Sequence, residues 1–94
     1  MEHLDLDQLR TELDQYVVPA WEERYEVRRE TPDSGITGYL VKNSWRDVSF
    51  AVRQRELNDL LEGKFGEGAG DVSLILTFTP EEYEAWAEDQ LAPS

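Results

Sequence analysis

Apolar residues in this 94-residue chain recur with two different periods, and the change of period along the chain limits the folds open to it. Leu6, Leu9, Leu13, Tyr16 and Val17 follow a helical spacing and form one apolar stripe. Asp5 is a good N-cap for this helix, and Gln8 stands where a capping box needs it. Leu4 and Leu9 are placed for a hydrophobic staple. Pro19 disfavours helical geometry at Val18, so the helix is expected to stop near Val17.

The period then shortens to two. Tyr25 and Val27 alternate with Arg24, Glu26, Arg28 and Glu30, which predicts a strand with one apolar and one charged face. Thr31-Pro32-Asp33-Ser34-Gly35 reads as a turn. A second strand is expected over 36–41. After the Asn43-Ser44 turn, Val48, Phe50 and Val52 alternate with Ser49 and Ala51, which predicts a third strand. Connections this short favour an antiparallel meander.

A helical stripe returns at Leu57, Leu60 and Leu61, with Gly63 as its expected stop. A glycine-rich connector over 63–70 leads to a strand over 71–78, with Val72, Leu74, Leu76 and Phe78 on one face and Ile75 on the other. The last helix is signalled by Thr79 as N-cap, Pro80 at its first position and Glu82 closing a capping box. Tyr83, Trp86, Ala87 and Leu91 form its apolar stripe, and residues 92–94 read as frayed. The expected order is α-β-β-β-α-β-α. This is an α+β class chain, with one mainly antiparallel four-stranded sheet packed against helices in a single domain over 1–94. In element order it resembles the small acidic fold of bacterial type III secretion chaperones and their relatives.

Charge is large and uneven. The net charge is −12. Residues 1–23 carry seven acids and one base, residues 24–55 carry seven bases and four acids, and residues 56–94 carry ten acids and one base. Such a charge disfavours direct contact with nucleic acid or anionic lipid, and favours fast approach to a basic protein surface. The same excess of carboxylates suits a halophile's housekeeping domain. The basic strand region facing acidic flanks also leaves self-pairing as a homodimer open.

The chain offers little catalytic chemistry. It has no cysteine, which excludes disulfides, thiolate metal sites and cysteine nucleophiles. His3 is its single histidine and lies before the first helix, where a solvated side chain is the expectation. Asp5 and Asp7 begin a calcium-loop pattern, but its glycine and glutamate positions hold Arg10 and Tyr16. Gly66, Gly68 and Gly70 follow a helix rather than opening one, and Glu67 among them would repel phosphate. No cofactor, metal or catalytic site is therefore expected, and the chain is read as non-enzymatic. It has no apolar run of membrane-spanning length, and residues 1–5 show no secretion signal, so a cytoplasmic protein is expected.

The candidate contact residues are those of the last helix and three outliers. Glu81, Glu84 and Glu88, with Glu82 and Asp89 beside them, form an acidic stripe. Trp45 and Arg46, types enriched in binding hot spots, adjoin the 43–44 turn. Phe65 opens the glycine-rich segment and reads either as satellite core or as a contact. Trp45 reads equally as a cover for the end of the core, and Trp21 and Trp86 read as core. Two functions follow from this pattern. One is an acidic protein-binding module, acting as an adaptor, chaperone-like or regulatory subunit on a basic partner. The other is a nucleic-acid mimic whose carboxylates imitate a row of phosphates. In composition the chain is similar to small phage-borne inhibitors of restriction or CRISPR systems.

Overall fold

The computed structural model describes residues 4–91, with side chains through Asp89. His3, residues 92–94 and the expected placement of the Leu91 side chain lie outside what is described. Helix α1 spans Leu6–Tyr16, and the Asp5 carboxylate accepts from the Asp7 backbone N–H at 2.9 Å. The helix stops where Pro19 requires it, since Val18 is extended at φ −117° and ψ 101°. Strands β1 (Arg24–Arg29) and β2 (Ile36–Val41) form the expected antiparallel hairpin.

The expected third strand is absent. Ser49 instead caps helix α2, Phe50–Phe65, its hydroxyl accepting from the Val52 N–H at 3.4 Å. The alternation of Val48, Phe50 and Val52 misled because it is only three apolar residues long: Val48 precedes the cap, and Phe50 and Val52 lie on the outer side of the first helical turn. Phe50 and Val52 are 58% and 47% exposed. The inward residues are Arg53, Leu57 and Leu61, spaced by four. Helix α2 also runs through Gly63, where an added Cβ would meet only open space, and stops at Gly66, where φ is +56°.

With α2 between them, β2 and β3 (Val72–Phe78) can pair in parallel, which the short connections of a meander would not allow. The sheet is three-stranded and mixed, in the order β1-β2-β3, and not four-stranded and mainly antiparallel. The element order is α-β-β-α-β-α, so the order on which the likeness to the secretion chaperones rested is not that of the chain. The glycine-rich connector is 3₁₀-helical over Gly66–Asp71. Asp71 at its end receives Arg29 at 2.5 Å and the Leu4 N–H at 2.9 Å, which ties it to β1 and to the start of α1.

One face of the sheet meets α1 and α2. Leu9, Leu13, Val27, Ile36, Leu40, Leu57, Leu61 and Ile75 form the core there, joined by Trp45. Gly38 in β2 lies so close to β1 that a Cβ would sit 1.9 Å from the Glu26 carbonyl oxygen. Glu56 braces one end of the core, accepting from the Tyr16 hydroxyl at 2.8 Å and from Trp45 Nε1 at 2.9 Å. Burial, then the Glu56 contact, push the Tyr16 phenol pKa up. Tyr25 joins β1 to α1 through Asp14 at 2.6 Å, and burial and that carboxylate push its pKa up to about 12. Among the described residues no helix is long and apolar enough to cross a membrane.

Candidate protein-binding face

Helix α3 (Pro80–Leu91) lies against the opposite face of the sheet. Strand alternation places Tyr39, Leu74, Leu76 and Phe78 on that face, because Leu40, Ile75 and Thr77 point into the other layer. Tyr39, Phe78, Tyr83 and Trp86 meet as an aromatic cluster. Ring centroids are 5.0 Å apart for Tyr39–Tyr83, 5.4 Å for Phe78–Trp86 and 5.7 Å for Tyr39–Trp86. The Arg24 guanidinium stands 5.2 Å from the Tyr83 ring. Burial, then the hydrogen bond to Tyr83, push the Tyr39 phenol up.

The start of α3 is bound tightly. The capping box forms as its sequence requires: Thr79 N–H donates to Glu82 Oε1 at 2.8 Å, and Glu82 N–H donates to Thr79 Oγ1 at 3.3 Å. Glu82 also receives Arg53 at 2.6 Å. Arg53 in turn donates to the carbonyls of Val48 at 2.9 Å and Thr77 at 3.4 Å. Hydrogen bonding from Arg53, then from the Thr79 N–H, holds the Glu82 carboxyl below its ordinary pKa against the opposing effect of burial. Glu81 pairs with Arg46 at 2.5 Å, with both side chains largely exposed.

The acidic stripe therefore divides. Glu82 is part of the helix anchor, and Glu81 and Arg46 answer each other at the surface. Glu84, Glu88 and Asp89 are exposed and form no ion pair among the described residues. Trp45 is not a surface contact. It is 1% exposed, because the short 3₁₀ turn Asn43–Trp45 swings its ring under the end of the sheet. Phe65 is half-buried against the core. Trp21, expected in the core, is 58% exposed, since the 3₁₀ turn after Pro19 turns it outward.

Sequence reasoning missed a cleft beside α3. Past Trp86 the sheet face is not covered, and a cavity of about 320 Å³ opens, lined by Tyr39, Leu74, Leu76 and Trp86 with Glu26 and Arg28 beside them. Leu74 is 53% exposed there. The signal was present in β3, where both faces of the strand are apolar while a single 12-residue helix remains to cover the outer one. A broader hollow of about 640 Å³ lies by the glycine-rich segment, but Glu62 and Glu67 line it and disfavour phosphate. Among the described residues no group of three His, Cys, Asp or Glu side chains could hold a metal ion.

Both outer strands carry carbonyls already engaged by side chains. Arg10 donates to Val27 O at 3.3 Å on β1. Gln54 donates to Ile75 O at 3.2 Å, and Arg53 to Thr77 O, on β3. These contacts occupy one carbonyl on β1 and two on β3 and disfavour an added strand at those positions. No protein-family model, curated protein or solved structure matches the chain.

Proposed function

We propose that this protein is a non-enzymatic binding module whose acidic surface, centred on the outer side of α3, engages a basic surface on another protein. The observation that carries this reading is how the bases are used. Among the described residues, seven of the nine basic side chains sit in ion pairs within the molecule: Arg10, Arg28, Arg29, Lys42, Arg46, Arg53 and Lys64. An eighth, Arg24, stacks on Tyr83. Internal pairing cannot reduce the surplus of twelve carboxylates, and Glu26, Glu84, Glu88 and Asp89 contribute to it on one side of the sheet. An unmatched field of this size steers and orients a cationic partner.

Mimicry of a phosphate row is less well supported. It needs evenly presented charge along α3, and two of the five carboxylates there are already met by Arg46 and Arg53.

Capture from native lysate with immobilised protein tests the proposal. Wild type should retain a partner that elutes with salt, and Glu84→Lys with Glu88→Lys should lose it. Asp59→Lys with Glu62→Lys changes net charge equally from α2 and should keep it. Equal loss in both double variants would show a net-charge effect with no site. Capture that neither variant disturbs would refute the proposal.

A further inference from the structure

The cleft beside α3 allows the partner's chemistry to be narrowed, on the reading just given. Its floor is apolar, from Leu74, Leu76 and Tyr39, with Trp86 as the helix-side wall. A volume of about 320 Å³ is at the small end of ligand cavities, which run from roughly 300 to 1,000 Å³, and suits one or two side chains. The charge around it is not balanced. Arg28 lies 3.7 Å from Glu30, and Arg24 stands 5.2 Å from the Tyr83 ring without an ion pair among the described residues, so two bases face the five carboxylates of Glu26, Glu30, Glu84, Glu88 and Asp89. Glu26 at the rim has no ion-pair partner among the described residues, nor have Glu84, Glu88 and Asp89 on the helix.

A second copy of the chain would bring another body of charge −12 against the same face, whereas a cationic segment is drawn to it. Side chains already engage Val27 O on β1 and Ile75 O and Thr77 O on β3, which disfavours an added strand at those positions and leaves the face to hold the occupant. We propose that this cleft takes an apolar side chain carried on a basic peptide segment, with the Leu74–Leu76 strip burying the apolar group and Glu26 meeting the flanking cation.

Two fluorescein-labelled peptides test this by anisotropy at fixed ionic strength. One alternates lysine with leucine, which puts the leucines on one side of an extended segment. The other replaces each leucine with serine. Burial of one leucine should make the first peptide bind roughly tenfold tighter or more. Leu74→Ser should erase that advantage, and Phe50→Ser, an equally exposed apolar position on α2, should leave it intact. Glu26→Gln should weaken the lysine–leucine peptide a few-fold. A third peptide alternating glutamate with leucine should not bind.

Equal binding of the leucine and serine peptides, lost with salt, would overturn the cleft while leaving the acidic surface as the binding element. Equal binding of the glutamate–leucine peptide would overturn the basic character of the occupant. Binding of none of them would overturn the cleft, and the lysate capture would then decide the wider reading separately. Self-association in light scattering that Leu74→Ser abolishes would assign the cleft to a second copy and overturn the proposal.

Discussion

Replacing Glu23 with alanine is expected to cost about 3–5 kcal/mol of stability, the range for breaking one half of a buried ion pair. The carboxylate is fully buried and holds three donors: the N–H of Val18 at 2.8 Å, the N–H of Asn43 at 2.8 Å and Lys42 Nζ at 3.1 Å. Truncation leaves both backbone N–H groups without that acceptor, at about 1–3 kcal/mol each where water cannot reach them. It also leaves the Lys42 ammonium, whose side chain is 10% exposed, with only the Tyr16 carbonyl at 2.6 Å and the Tyr16 ring at 4.2 Å. Entry of water into the vacated space offsets part of the loss, which keeps the sum near the middle of that range. A domain of this size has roughly 5–14 kcal/mol in total, so the variant should lose between a quarter and most of its stability. At ~4–8 °C per kcal/mol, its melting temperature should fall by at least ~12 °C.

Urea unfolding followed by far-ultraviolet circular dichroism measures this. A second variant separates the ion pair from the backbone contacts. Apolar replacement of both partners, Glu23→Leu with Lys42→Met, removes the buried charges and can be neutral elsewhere. Here it should still cost about 2 kcal/mol or more, because the Val18 and Asn43 N–H groups keep no acceptor. A loss below ~1 kcal/mol in Glu23→Ala would refute the reasoning, since desolvation of the carboxylate would then consume all that its three contacts return.

Trp45→Ala should destabilise the domain by about 3–5 kcal/mol in the same assay, as a buried aromatic in the core, whereas a surface contact would change little. Phe50→Ser and Val52→Thr should each stay within about 0.5–1 kcal/mol of wild type by urea unfolding, because both lie on the outer side of α2; a third strand would predict larger losses. Gly38→Ala should cost about 1–3 kcal/mol or more through its clash with the β1 backbone, seen as a lowered melting temperature. Glu82 has a depressed carboxyl pKa in the folded state, so its contribution is present above the ordinary carboxylate range and is lost as pH falls through the folded value. The stability gap between wild type and Glu82→Gln should therefore be constant near neutral pH and narrow in acid, in melting curves taken from pH 7 to pH 3.

Local chemistry was legible wherever a residue acts on its own neighbours. The Asp5 cap, the stop enforced by Pro19, the 31–35 turn and the Thr79–Glu82 capping box all formed as read, because each is complete within a few residues. The binding face was legible only in part. Glu84, Glu88 and Asp89 are exposed as expected, but Arg46 and Arg53, drawn from other elements, take up Glu81 and Glu82. Residues 48–52 were misread because three alternating apolar residues fit both a short strand and one turn of helix, and only burial of Arg53, Leu57 and Leu61 selects the helix.

The sequence by itself determined two apolar periods, the bounds of α1, the β1–β2 hairpin and the start of α3 as marked by caps and turns, and a surplus of carboxylates that no internal arrangement can neutralise. Only the tertiary structure decided that β3 pairs parallel to β2, that Trp45 lies inside and Trp21 outside, and that one sheet face stays partly open beside α3. The reason is physical: caps and turns are settled by contacts within a few residues, whereas pairing direction and exposure depend on which distant surfaces fit together and how much apolar area one helix can cover.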